Sequence, residues 1–188
     1  MRESLRKMAE CDLAEGLATV LVDQEFVVTN QEEPVQLDPL DTVTVRVGSS
    51  ETISMRLKQR HLGHLSCKKN PDGLFLLPRD DGSVVVLAIE VKQTLNAHQW
   101  EKATAQCVNG IRFARATVRG MPMVTARTHL RWAILYGRKV ETDPQWLKLA
   151  AARHLDVELP DGVESAAGFI RQTRRDELIP IEDLAQMP

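Results

Sequence analysis

The chain has 188 residues, 43% of them hydrophobic and 27% charged, with a formal net charge of −2. That length supports a domain that buries about two-thirds of its unfolded surface without staples. No apolar run approaches the roughly twenty residues of a membrane span, and the near-neutral balance argues against a protein that coats nucleic acid through bulk charge.

Cys11, Cys67 and Cys107 are scattered and odd in number. They point to a reducing compartment rather than a disulfide framework. With no secretory h-region at the N-terminus, an intracellular protein of the cytoplasm or nucleus is expected, with a secreted effector as the other option.

Residues from about Arg2 to Val22 carry helical periodicity, with Leu13, Leu17, Val20 and Leu21 on one stripe. Glu10 falls inside that stripe and Glu15 nearly opposite, so Glu10 is the carboxylate that needs a reason. Glu25 to Thr29 reads as a short strand, and Asn30 to Asp41, with Pro34 and Pro39, as a loop. Thr42 to Val47 alternates, Gly48-Ser49-Ser50 reads as a turn, and Thr52 to Leu57 alternates again. The pattern predicts a hairpin over 42–58, either extending a central sheet or forming a flap over a site. His61, His64 and Cys67 stand three residues apart and invite a zinc reading. Zinc needs a fourth ligand, and Gly63 in their midst favours a passage from strand to loop.

Next comes Asn70-Pro71-Asp72-Gly73, and Glu90 follows Asp72 by eighteen residues. Gly73 to Pro78 predicts a strand, Arg79-Asp80-Asp81-Gly82 a tight turn, and Ser83 to Val91 a β-branched return strand. Val84 to Ile89 is continuously apolar, as in a strand covered on both faces. Glu90 and Lys92 are two apart and leave by the same face. Charges at the end of such a run are costly without compensation. Hard oxygen donors such as Asp72 and Glu90 suit Mg2+ or Mn2+. Lys92 then stands where an electrostatic or proton-transfer group would act.

Asn96 caps a predicted helix running to about Val118, with Trp100, Ala103, Thr104, Cys107, Ile111 and Ala114 on one stripe and Gln99 and Gln106 along its edge. Leu130 to Gly137 reads as a core strand, Pro144 to His154 as a helix, and Ser165 to Thr173 as a further helix. Trp100, Trp132 and Trp146 fall at apolar positions and read as core. Basic residues flank the acidic motif, with Arg56, Lys58, Arg60, Lys68 and Lys69 before it and Arg112, Arg115, Arg119, Arg127 and Arg131 after it. They would form either a phosphate-facing rim or a solvated surface. No Gly-x-x-x-x-Gly-Lys-Ser/Thr loop and no Gly-x-Ser-x-Gly elbow occurs.

Pro71-Asp72 followed by Glu90-Val91-Lys92 resembles the PD-(D/E)XK nuclease superfamily, which includes many restriction endonucleases. The resemblance implies an α/β fold, a mixed central sheet flanked by helices, with a restriction-endonuclease-like core in the order helix, three-stranded meander, helix, strand. The predicted hairpin in the N-terminal half would be an addition to that core. It implies hydrolysis of nucleic-acid phosphodiesters, DNA rather than RNA, by a homodimer or a larger nuclease complex with no membrane partner. Asp72, Glu90 and the Val91 carbonyl would hold Mg2+ or Mn2+, with Glu10 as the acidic residue from the first helix. Lys92 would position the attacking water, and Gln106 would be the helix glutamine that meets the site or substrate. On this reading, residues 1–155 form the nuclease-like domain and 156–188 an extension docking on the core or a partner. The alternatives are a catalytically silent subunit of the same fold that binds nucleic acid or protein, and an unrelated α/β interaction domain.

Overall fold

The computed structural model describes residues 18–29, 42–55, 70–119, 127–137, 163–174 and 176–186. Glu10, the loop after Thr29, the run His61, His64 and Cys67, the basic residues between 56 and 69, and the helix expected near Trp146 lie outside the described residues.

The elements are β1 (Ala18–Leu21), β2 (Gln24–Thr29), β3 (Thr42–Val47), β4 (Thr52–Met55), β5 (Gly73–Pro78), β6 (Val84–Lys92), α1 (Ala97–Arg119), β7 (Thr128–Tyr136), β8 (Val163–Gln172), β9 (Leu178–Pro180) and α2 (Ile181–Gln186). The larger sheet has the order β1-β4-β5-β6-β7-β8, and a smaller one the order β2-β3-β9. From β1 to β6 the large sheet is antiparallel, and from β6 to β8 it is parallel. A parallel pair needs a crossover, and α1 lies in the one between β6 and β7. The architecture is thus mixed α/β, with two sheets and few helices among the described residues.

Every residue of β6 is buried, which explains the unbroken apolar run from Val84 to Ile89. Val85, Leu87, Ile89 and Val91 enter a core shared with Val45, Val47, Ile179, Ile181 and Leu184 of the small sheet and α2. Val84, Val86 and Ala88 enter the opposite core, with Cys107, Ile111 and Ala114 of α1. By the strand's two-residue alternation, Glu90 and Lys92 continue this second row, under α1.

The β5–β6 turn closes as its residues dictate. Arg79 N donates to Ser83 O at 2.9 Å, and Gly82 N donates to Arg79 O at 3.1 Å. Gly82 takes φ of 81°, a conformation open to a residue without Cβ. Asp81 Oδ1 accepts from Ser83 N at 2.9 Å and from Ser83 Oγ at 2.7 Å. The start of α1 is a reciprocal cap: Gln99 N donates to Asn96 Oδ1 at 2.9 Å, and Asn96 N to Gln99 Oε1 at 3.2 Å.

Three expectations are corrected. The predicted N-terminal helix does not reach Val22, because Ala18–Leu21 is strand β1, paired antiparallel with β4 from Ala18↔Met55 to Leu21↔Thr52. Val20 and Leu21 fit a helical stripe and a strand equally well, and the β4 partner decides between them.

The predicted 42–58 hairpin does not form either. β3 pairs with β2 and β9, whereas β4 pairs with β1 and β5, so the two strands belong to different sheets. All four residues of β4 are buried, as suits an interior strand, while β3 buries only alternate residues. The residues between them form a crossover between sheets. It runs beside the β1–β2 connection and is tied to it by Asp23 N donating to Gly48 O at 3.0 Å. Asp23 takes φ of 46°, in the left-handed region that aspartate tolerates better than most residues.

The third correction concerns Ser165 to Thr173, which is not helical. Val163–Gln172 is β8, parallel to β7, with a register shift that makes Thr128 pair with Val163 and His129 with Ser165. Gly168 lies against the Trp132 indole so closely that a Cβ there would collide with the ring. Its small residues leave local preference weak, and the ladder to β7 settles the conformation.

Among the described residues, no helix is long and apolar enough to cross a membrane.

Candidate metal and active site

The β5–β6 ladder ends at Gly73↔Ile89, which leaves Asp72 beside Glu90. Beyond that point side chains replace backbone pairing. Asp72 N donates to Glu90 Oε2 at 3.2 Å, and Val91 N donates to Asp72 Oδ2 at 2.9 Å. Each carboxylate therefore accepts a hydrogen bond from the other's strand. Lys92 Nζ donates to Glu90 Oε1 at 2.6 Å. The structure brings Asp72, Glu90 and Lys92 to one point, with Val91 in the same constellation. Glu90 is 0% exposed, Lys92 4% and Asp72 9%.

Burial first, and then the neighbouring Asp72 carboxylate, push the Glu90 carboxyl up to about 8; Lys92 and the Asp72 amide pull the other way. The Lys92 ammonium thus offsets only part of what burial and Asp72 do to Glu90. Burial, followed by Glu90 and Asp72, also raises the Cys107 thiol well above its ordinary range, so Cys107 sits close enough to feel the same charges.

This chemistry fits a hard dication. Two buried neighbouring acids present oxygen donors, and Mg2+ is commonly held by one or two carboxylates while it keeps several waters. Among the described residues, no cluster of three or more His, Cys, Asp or Glu is arranged to hold a metal ion. A cation here would therefore rest on the Asp72–Glu90 pair, the Val91 carbonyl and water.

The helix α1 packs over this end of β6. Gln106 Nε2 donates to Asn70 O at 3.1 Å, so Gln106 meets the segment that leads into Asp72. Gly110, one turn further along, lies against Pro71: a Cβ built on it would fall 2.7 Å from Pro71 Cδ and closer still to Cγ. Neither Cys107, one residue of an apolar stripe, nor Gly110 signals its place near this site by local pattern alone. The one cue is that a glycine inside a helical pattern costs about 1 kcal/mol relative to alanine.

No family model, no curated protein and no solved structure matches the chain. Fold and site together define a mixed α/β protein with a buried acid–acid–lysine centre at one end of its central strands.

Proposed function

We propose that the protein is a metal-dependent nuclease of PD-(D/E)XK type, hydrolysing phosphodiester bonds of nucleic acid, DNA before RNA. The observation that carries this reading is the buried convergence of Asp72, Glu90 and Lys92. The succession β4, β5, β6, α1, β7 supports it, as an antiparallel meander followed by a helix and a strand parallel to β6.

Asp72, Glu90 and the Val91 carbonyl would hold Mg2+ or Mn2+, which supplies Lewis-acid polarisation of a phosphoryl oxygen and a lowered pKa for water. The chain's own groups do the rest. Lys92 Nζ, held by Glu90 Oε1, orients the attacking water and offsets charge that develops on the phosphate. Glu90 would have to be ionised to hold a cation, which would couple occupancy of the site to pH. Deep burial keeps bulk water away and strengthens each electrostatic contact.

The test is incubation of wild type, Lys92→Ala and Glu90→Gln with linear, circular, single-stranded and branched DNA, and with RNA, with and without Mn2+. Cleavage lost in both variants is expected. Equal cleavage by Lys92→Ala defeats the proposal. The complete burial of Glu90 favours one second reading, a silent nuclease-fold subunit in which the acid pair is structural. That protein would show no Mn2+-dependent thermal shift.

A further inference from the structure

We infer that Gly110 is a positioning residue for the acid site: its missing side chain lets α1 seat Pro71 and so fixes where Asp72 presents its carboxylate. The inference rests on the metal-site reading above and extends it to a residue outside the ligand set.

Glycine in the interior of a 23-residue helix is a poor local choice, because it lowers helix propensity and offers nothing to pack. At Gly110 the tertiary environment explains it. The helix backbone is so near Pro71 that an alanine Cβ would enter the ring's space, with Leu74 Cδ1 3.6 Å away on another side. Pro71 is itself buried, which leaves the ring little freedom to retreat. One helical turn earlier, Gln106 Nε2 holds Asn70 O at 3.1 Å. Positions i and i+4 share a face, so successive turns of α1 grip successive residues, 70 and 71. The next residue is Asp72, whose amide and Oδ2 are tied to Glu90 and to Val91 N. Pro71 is stiff at φ, so a push on its ring passes along the backbone to Asp72 instead of being absorbed. The helix grips the loop from one side while β6 grips it from the other.

An ordinary packing glycine would make a different prediction. Its replacement would lower stability and leave the response to metal alone. The two cases separate in a complementary pair of substitutions. Gly110→Ala adds a methyl where Pro71→Ala removes Cγ and Cδ, so the double variant restores room.

The experiment measures Mn2+ affinity by calorimetry on the full chain, at a temperature where each protein is folded by circular dichroism. It compares wild type, Gly110→Ala, Pro71→Ala and Gly110→Ala/Pro71→Ala. Gly110→Ala is expected to weaken Mn2+ binding by about 10–100-fold, the usual cost of disturbing a residue that orients a ligand. The double variant should recover most of that loss. An unchanged affinity in a folded Gly110→Ala protein overturns the inference while leaving the metal site standing. So does a double variant no better than Gly110→Ala. If Gly110→Ala fails to fold, the double variant decides: recovered folding and binding support the clamp, and no recovery overturns it. A wild type that takes up no Mn2+ overturns both the inference and the reading beneath it.

Discussion

The paired strands β6 and β7 carry opposite charges at both ends, in contrasting surroundings. At their start, Arg127 meets Asp81 at 3.2 Å and Glu164 at 3.5 Å, and His129 lies 3.5 Å from Glu164 and 2.9 Å from Ser165 Oγ. The Arg127 and Asp81 side chains there are 53% and 55% exposed. At their finish, Lys92, Glu90 and Asp72 are almost wholly out of water. The carboxyls respond in opposite directions. Asp81 is held below its ordinary value by the Ser83 hydroxyl and amide, with help from Arg127. Glu90 is driven up by burial and by Asp72. Charges in water settle for whatever partners are near and contribute little. Charges removed from water are costly unless paired and hydrogen-bonded, as Glu90 and Lys92 are here.

The contrast can be broken most forcefully at Lys92. Lys92→Met removes the ammonium held at Glu90 Oε1, and Mn2+-dependent cleavage of DNA should fall about 10²–10⁴-fold, the range for a lost proton-transfer group. A rate within threefold of wild type would place Lys92 outside the chemistry. Arg127→Met, its counterpart at the other end, should leave the rate unchanged.

The next effect is on stability against pH without metal. Glu90 takes up its proton more readily folded than unfolded, since its carboxyl lies at about 8 against an ordinary 4.5. Below the ordinary value both states are protonated and nothing is lost. Between the two values the unfolded state binds fewer protons, so stability should fall as pH rises and level off above about 8, at a slope of up to about 1.4 kcal/mol per pH unit. Urea denaturation of wild type and Glu90→Gln across this window checks it: the variant should be flatter by that one proton. Mn2+ affinity of the wild type should rise over the same interval, because the cation must displace the proton.

Smaller still is Ser83→Ala. It removes the 2.7 Å hydrogen bond to Asp81 from a buried turn residue. It should cost about 1 kcal/mol by chemical denaturation and raise the Asp81 pKa read by NMR titration. The smallest effect is Arg127→Ala, expected within about 1 kcal/mol of wild type and vanishing in high salt. A larger or salt-independent loss would mean that the exposed network contributes more than its surroundings imply.

Much of the region around the site was legible because its signals are local. Turn residues at Arg79 to Gly82, β-branched sequence from Val84, and the side-chain cap at Asn96 each act over a few residues. The same-face placement of Glu90 and Lys92 follows from the pleat alone. Elsewhere the local pattern was ambiguous. Thr42 to Val47 and Thr52 to Met55 look like hairpin partners because a short polar turn separates them, yet each finds its ladder in a different sheet. Ala166, Ala167 and Gly168 favour no conformation strongly, and Trp132 needs the bare backbone of Gly168 beside it in β8.

The β5–β6 hairpin, the α1 helix capped by Asn96, and the charged groups that share one face of β6 can be read from residue order alone. These depend on backbone sterics and two-residue or helical periodicity, which act within a segment. Packing settles that β3 and β4 part company, that Val163–Gln172 is a strand, that Gly110 lies against Pro71, and that Cys107 comes near the acids. Such outcomes depend on contacts between distant segments, where burial is shared by both partners and neither one's sequence names the other.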